Sequence, residues 1–184
     1  MRLPATVTAL LALVLPVLAA PAPKTTPAGR LKAGFAERDI TPGIGMEAPG
    51  GYGKSHHRTF HDPCKVRAVV FDDGNSRVAL VGIDLLFVTR ALVQEARAEI
   101  TRRCGIPGSA VLIGASHSHS SGPIGMGEPG DFDTAPPLVR ELVFEKSITS
   151  DPGFTQLLRR QIIEAVVLAD AARVDARQIG RAHV

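Results

Sequence analysis

The stretch from Arg77 to Ala115 constrains the fold more than any other part of this chain. Arg77–Asp84 (RVALVGID) is a short aliphatic run that ends in a carboxylate, and Ala110–Ala115 (AVLIGA) is a second such run. Runs of this length and composition read as buried strands. Between them, Thr89–Cys104 places Leu92, Ala96 and Ile100 at helical spacing with Val93 beside them, while Arg90, Glu95, Arg97 and Glu99 face away. Gly105 and Pro107 then stop the helix. Strand, helix and strand in this order have the length of a parallel crossover unit. Both strands of such a unit end at one edge of the sheet. Asp84 and the residues after Ala115 are therefore predicted to emerge together at the carboxyl edge, where α/β proteins bind ligands. Arg77–Asp84 is apolar on both faces, as expected of a central strand.

The remaining elements fit around this unit. Ala33–Thr41 alternates and ends at Pro42, which predicts a first strand. Val66–Phe71 is a strand joined to Arg77 through the turn Asp72-Asp73-Gly74-Asn75-Ser76. Gly122–Ser150 is long and irregular, with a short helix over Leu138–Glu145; a loop of this length reads as a lid or binding loop. Asp151-Pro152 opens a helix whose buried stripe is Phe154, Leu158, Ile162, Val166 and Ala169. Ala176–Val184 reads as the start of another strand. The expected class is α/β: a mixed sheet containing a parallel βαβ unit with flanking helices.

Residues 1–22 have the form of an export leader: Arg2, an uncharged apolar run from Ala5 to Leu18, then small residues at Ala19, Ala20 and Ala22. The run is short and broken by Pro16, so it predicts a cleaved leader rather than a membrane span. Residues 23–32 read as a flexible lead-in, and 33–184 as the folded part. The mature chain is expected to be secreted or periplasmic, with no integral membrane segment. With 21 basic and 18 acidic residues the formal charge is +3. That balance, with no basic stripe and no interleaved aromatics, leaves no nucleic-acid footprint. Export permits a disulfide between Cys64 and Cys104. Cys104 also continues the Leu92, Ala96, Ile100 face, which favours a buried free thiol.

The chemistry concentrates after the second aliphatic run, in Ser-His-Ser-His-Ser-Ser-Gly-Pro (Ser116–Pro123). In an extended chain, residues two apart point to the same side at roughly 6–7 Å. His117 and His119 would then face one point just past a strand end, which suggests a metal site, most often zinc. The plain alternative is a pair of surface histidines in a serine-rich loop. Ser116 lies in Gly-Ala-Ser-His-Ser, which lacks the second glycine of a nucleophile elbow.

Two further stretches bear on this edge. Pro42–Gly53 holds Gly43, Gly45, Gly50, Gly51 and Gly53 around Tyr52; glycines let backbone approach a ligand closely, although plain surface loops share this composition. The spacing matches neither nucleotide-binding glycine pattern. His56, His57 and His61 follow in KSHHRTFHDP. Adjacent histidines point in different directions, so His56 and His57 are not expected to act as a pair, and His61 begins a His-Asp-Pro turn where a structural hydrogen bond competes with ligation. Asp84 either orients a metal-binding histidine or caps the loop before the helix.

Taken in order, these pieces resemble the N-terminal, catalytic part of the neutral (non-lysosomal) ceramidase family. The series is Ala-Gly-Phe-Ala-Glu-Arg-Asp-Ile-Thr-Pro (Ala33–Pro42), Gly-Tyr-Gly (Gly51–Gly53), His-Asp-Pro-Cys-Lys-Val-Arg-Ala (His61–Ala68), Val-Ala-Leu-Val-Gly-Ile-Asp (Val78–Asp84) and Ser116–Pro123. The resemblance implies a zinc amidohydrolase that cleaves the N-acyl amide of ceramide, a lipid-like substrate, into sphingosine and a fatty acid. It makes His117 a zinc ligand, His119 a catalytic neighbour of the metal, and Gly51 and Tyr52 the border of the substrate pocket. Asp84 would be a supporting residue. Zinc in such an enzyme lowers the pKa of a bound water and polarises the amide carbonyl. The family motif reads Thr-His-Thr-His-Ser-Gly-Pro, so this chain carries one extra serine before Gly122. The family's other ligands, a second His, a Glu and a Tyr, are expected beyond Val184.

Overall fold

The structure, a computed structural model, describes residues 30–51, 53–125, 127–128 and 130–177. The expected leader, most of the lead-in and the end of the expected last strand lie outside the described residues. Five strands among them form one sheet: β1 (Lys32–Asp39), β2 (Lys65–Asp72), β3 (Arg77–Ile83), β4 (Val111–Ala115) and β5 (Val174–Asp175), in the order β4-β3-β2-β1-β5. Only β3 and β4 pair in parallel, with Ile83 opposite Ala115; the other neighbours are antiparallel. The helices are α1 (Arg90–Cys104), α2 (Pro137–Phe144) and α3 (Pro152–Ala171), with a 3-10 turn at Gly108–Ala110. This is the predicted α/β class, a mixed sheet with a parallel βαβ unit.

The helix ends follow from their capping residues. Thr89 accepts from Leu92 N and starts α1; Gly105, left-handed, returns its N–H to Thr101 and ends it. Asp151 accepts from Phe154 N ahead of Pro152 and starts α3. Leu92, Ala96 and Ile100 of α1 are buried in one core with Phe154, Leu158, Ile162, Val166 and Ala169 of α3. The sheet contributes Val66, Ala68 and Val70 from β2, Ala79, Val81 and Ile83 from β3, and Val111 and Ile113 from β4. These residues share one face, because alternate side chains of a strand point the same way.

The other face is where sequence and structure part. The sequence reads β3 as a strand apolar on both faces, and it is central by pairing, but only its helix-side face is covered. Along one row of partners, Phe35, Val69, Leu80 and Leu112 lie side by side across four strands. Phe35 is 70% exposed, Leu80 42% and Leu112 62%. The row beyond Leu80 and Leu112 is Gly82 beside Gly114, both exposed. Hydropathy records that these positions are apolar, not that a layer covers them. A smaller correction concerns the chain's last strand. Pairing begins at Val174 rather than Ala176, because α3 already delivers the chain alongside β1 there. Ala176 N then donates to Leu31 O at 2.8 Å. Among the described residues, no helix is long and apolar enough to cross a membrane.

The two faces should respond differently to the same change. Leu112→Thr is expected to alter stability by about 0.5 kcal/mol or less, whereas Ile113→Thr, one residue on, should cost about 2 kcal/mol or more by burying an unpaired hydroxyl. Urea denaturation of the two variants checks this. Equal losses would mean that the face bearing Leu112 is covered in solution.

Candidate functional site

The site is built where β3 and β4 run out together. The parallel ladder does not stop with the strands: Ser116 N donates to Ile83 O at 2.9 Å, and Ser118 N donates to Leu85 O at 3.0 Å. The loop after β3 and the loop after β4 are thus zipped along their first residues. Asp84 and His117 leave the same edge, as the crossover predicts. Between the two zipping bonds, His117 Nδ1 lies 2.9 Å from the Leu86 carbonyl oxygen. A carbonyl only accepts, so Nδ1 carries the hydrogen, and in the neutral ring this leaves the lone pair on Nε2. Backbone carbonyls commonly orient metal-binding imidazoles in this way.

His119 comes beside His117 by a different route from the one the spacing suggests. The extended chain ends at Ala115, and His117 adopts φ 63°, the left-handed region that a non-glycine residue enters at a cost of about 1–2 kcal/mol. The turn, not the pleat of a strand, brings the rings together, with centroids 5.1 Å apart and edge-to-face. Both rings are exposed.

The glycine loop covers His119 from the other side. Gly50 has φ 89°, and a Cβ there would stand 2.2 Å from His119 Nδ1. No larger residue fits without moving the imidazole. The close approach seen here is of backbone to a side chain, and the residue that makes it is Gly50. Gly51 is exposed with open space around it, and Tyr52 lies outside the described residues. Gly122, at the end of the serine turn, is fixed for a similar reason: a Cβ would meet the Phe154 ring of α3 at 2.1 Å.

Asp84 is occupied elsewhere on the edge. Its Oδ2 accepts from Lys65 N at 3.0 Å and from Arg67 Nη1 at 2.8 Å, tying the end of β3 to β2. The acceptor that orients His117 is the Leu86 carbonyl, a backbone group that no residue pattern announces. His56 is exposed and His57 is buried, so the two do point apart. His61 Nδ1 meets its neighbour Asp62 at 2.9 Å on the open surface. The cysteines are free. Cys64 is buried under the serine turn, with Sγ donating to Ser120 O at 3.4 Å, and burial first, then the Asp84 and Asp39 carboxylates, push its thiol pKa up. Cys104 is half-buried, and burial likewise raises it.

A catalytic zinc takes three protein ligands and leaves one position open. His117 Nε2 has the free lone pair this requires, and the His119 ring adjoins it. Among the described residues, no group of three or more His, Cys, Asp or Glu side chains could hold a metal ion. The donors present therefore do not complete a zinc site.

No family model matches the chain, and no curated protein matches its sequence. Solved structures do match its fold. Neutral ceramidase from Pseudomonas aeruginosa aligns with a TM-score of 0.56 at 21% identity, over 78% of this chain and 22% of that one. A ceramidase complexed with C2 aligns with a TM-score of 0.54 at 19% identity, again over 78% and 22%. This chain has the fold of one part of neutral ceramidase and spans about a fifth of the length of these solved chains.

Gly50 and Gly51 offer a direct check of the loop's role. Gly50→Ala is expected to displace His119 and shift its imidazole resonances in long-range 1H–15N spectra, while Gly51→Ala leaves them in place. Unchanged His119 resonances in folded Gly50→Ala protein would show that the loop does not rest on the ring.

Proposed function

We propose that this chain is the histidine-bearing part of a ceramidase-like zinc amidohydrolase, acting on the N-acyl amide of ceramide or a related N-acyl lipid. One observation carries the reading. The Nδ1–H of His117 is held by the Leu86 carbonyl at 2.9 Å, leaving Nε2 free at the carboxyl edge with the His119 ring at 5.1 Å. The ordered motif series and the shared fold support it. In this reading His117 Nε2 is a zinc ligand, and His119 supplies a proton to the leaving amine nitrogen. The Gly50–Gly51 segment borders the substrate, and the protein acts outside the cytoplasm after loss of residues 1–22.

A second reading has its own observation behind it. The described residues bring two imidazoles together and no third donor. A non-catalytic relative that binds metal or lipid weakly would look the same.

Zinc titration and hydrolysis of a fluorogenic N-acyl-sphingosine separate the two, each beside His117→Ala. The 184-residue chain is expected to bind zinc at micromolar affinity or weaker, to lose that binding in His117→Ala, and to turn over little substrate. Zinc bound equally well by His117→Ala would overturn the assignment of His117. Robust turnover abolished by His117→Ala would show that the ligand set is already complete within this chain. Export is tested separately by N-terminal sequencing of secreted material, with a start between residues 20 and 23 expected and an intact Met1 excluding a cleaved leader.

A further inference from the structure

His57 is the one histidine of the molecule that is buried, among the described residues, and neither the motif series nor the proposed chemistry uses it. Its Nε2 lies 2.7 Å from the backbone oxygen of Ser121, which is itself fully buried. Its ring packs against Phe60 with centroids 4.5 Å apart. Its backbone belongs to the arm that carries the glycine loop: His57 N donates to Met46 O at 2.9 Å, Gly45 N donates to His57 O at 2.8 Å, and Ala48 N donates to Ser55 O at 2.9 Å. Those bonds lay Gly45–Ala48 against Ser55–His57, and Gly50 rests on His119. Ser121, in turn, holds the serine turn through its Oγ, which donates to Ser118 O at 3.0 Å, and Ser118 N is tied to Leu85 O.

We infer that His57 is a positioning residue of the site: its buried Nε2–H clamps the Ser121 carbonyl, so one side chain fixes the His117–Ser121 turn against the loop that rests on His119. The inference rests on the reading of the His117–His119 edge as the active edge. A carbonyl oxygen only accepts, so Nε2 carries a hydrogen, and in the neutral ring this selects the Nε2–H tautomer. A histidine that merely filled the space beside Phe60 would give no such selection. It could also be replaced by leucine without effect on the pair.

The test compares His57→Gln, whose amide nitrogen reaches the place of Nε2, with His57→Leu, which fills the space without a donor. Long-range 1H–15N spectra of the wild type are expected to show neutral His57 as the Nε2–H tautomer. The Nδ1–H form would set two acceptors against each other and overturn the inference. In folded His57→Leu, the His117 and His119 resonances are expected to shift or broaden, and zinc affinity to fall about tenfold or more, as loss of an orienting group does. His57→Gln should restore both, and His61→Leu, at an exposed site, should change neither. Unaltered His119 resonances in folded His57→Leu would remove the positioning role. Should His57→Leu not fold, the tautomer and His57→Gln decide. Absence of zinc binding in the wild type would sink the zinc reading alone, since the imidazole resonances still decide the role of His57.

Discussion

Everything at the candidate site depends on the parallel pairing of β3 and β4. Antiparallel neighbours exchange their ends: where one strand finishes, the next begins. Parallel neighbours finish together, so two loops leave the sheet side by side and can continue to exchange backbone hydrogen bonds. Here they do so through Ser116 to Ile83 and Ser118 to Leu85. That zipper sets the Leu86 carbonyl opposite His117, and the carbonyl decides which ring nitrogen keeps a lone pair. The chemistry of one imidazole thus follows from a topology established more than thirty residues earlier in the chain.

The second layer of control comes from packing rather than pairing. The left-handed backbone at His117 is a strained conformation that persists only when its surroundings over-determine it. The surroundings do: Cys64 and His57 hold the carbonyls of Ser120 and Ser121 from below, Phe154 occupies the space a side chain at Gly122 would need, and Gly50 lies on His119 from above. Serines suit such a turn, because their hydroxyls bond to nearby backbone. Ser121 does this with Ser118 O. Of the two serines before Gly122, Ser121 is buried and Ser120 exposed.

How much of this the sequence discloses depends on the range of the interaction. Elements specified by local pattern are legible: the three-residue buried face of α1, the five-residue stripe of α3, the Asp151 cap of α3, and the crossover that aligns Asp84 with His117. The site is legible as a place and as a pair of histidines. Its internal wiring is not. The partner of His117 is a backbone carbonyl, identical in every residue type, so Leu86 carries no signal. Asp84, which carries the signal of a carboxylate near a histidine, is taken by Lys65 N and Arg67, a tie formed between strands. Among five clustered glycines, only the folded loop distinguishes Gly50 from Gly51. His56 and His57 look alike until burial separates them.

The sheet face turned away from the helices is apolar as well as exposed. Phe35, Leu80 and Leu112 expose an apolar row at a position where a two-layer protein would carry polar side chains, since antiparallel sheets that meet water on one side alternate apolar and polar. The charged residues on that face are nearby but paired with one another: Arg67 reaches Asp84 at 2.8 Å and Glu37 at 3.9 Å, and Lys65 reaches Glu37 at 3.4 Å. Their mutual pairing leaves the apolar row to dominate the surface. The matched fold accounts for 22% of the neutral ceramidase chain, so in that protein this same layer sits within a far longer polypeptide. The residues that position the edge, His57 and Gly50 among them, lie within the present layer. The shape of the edge is therefore set within this layer.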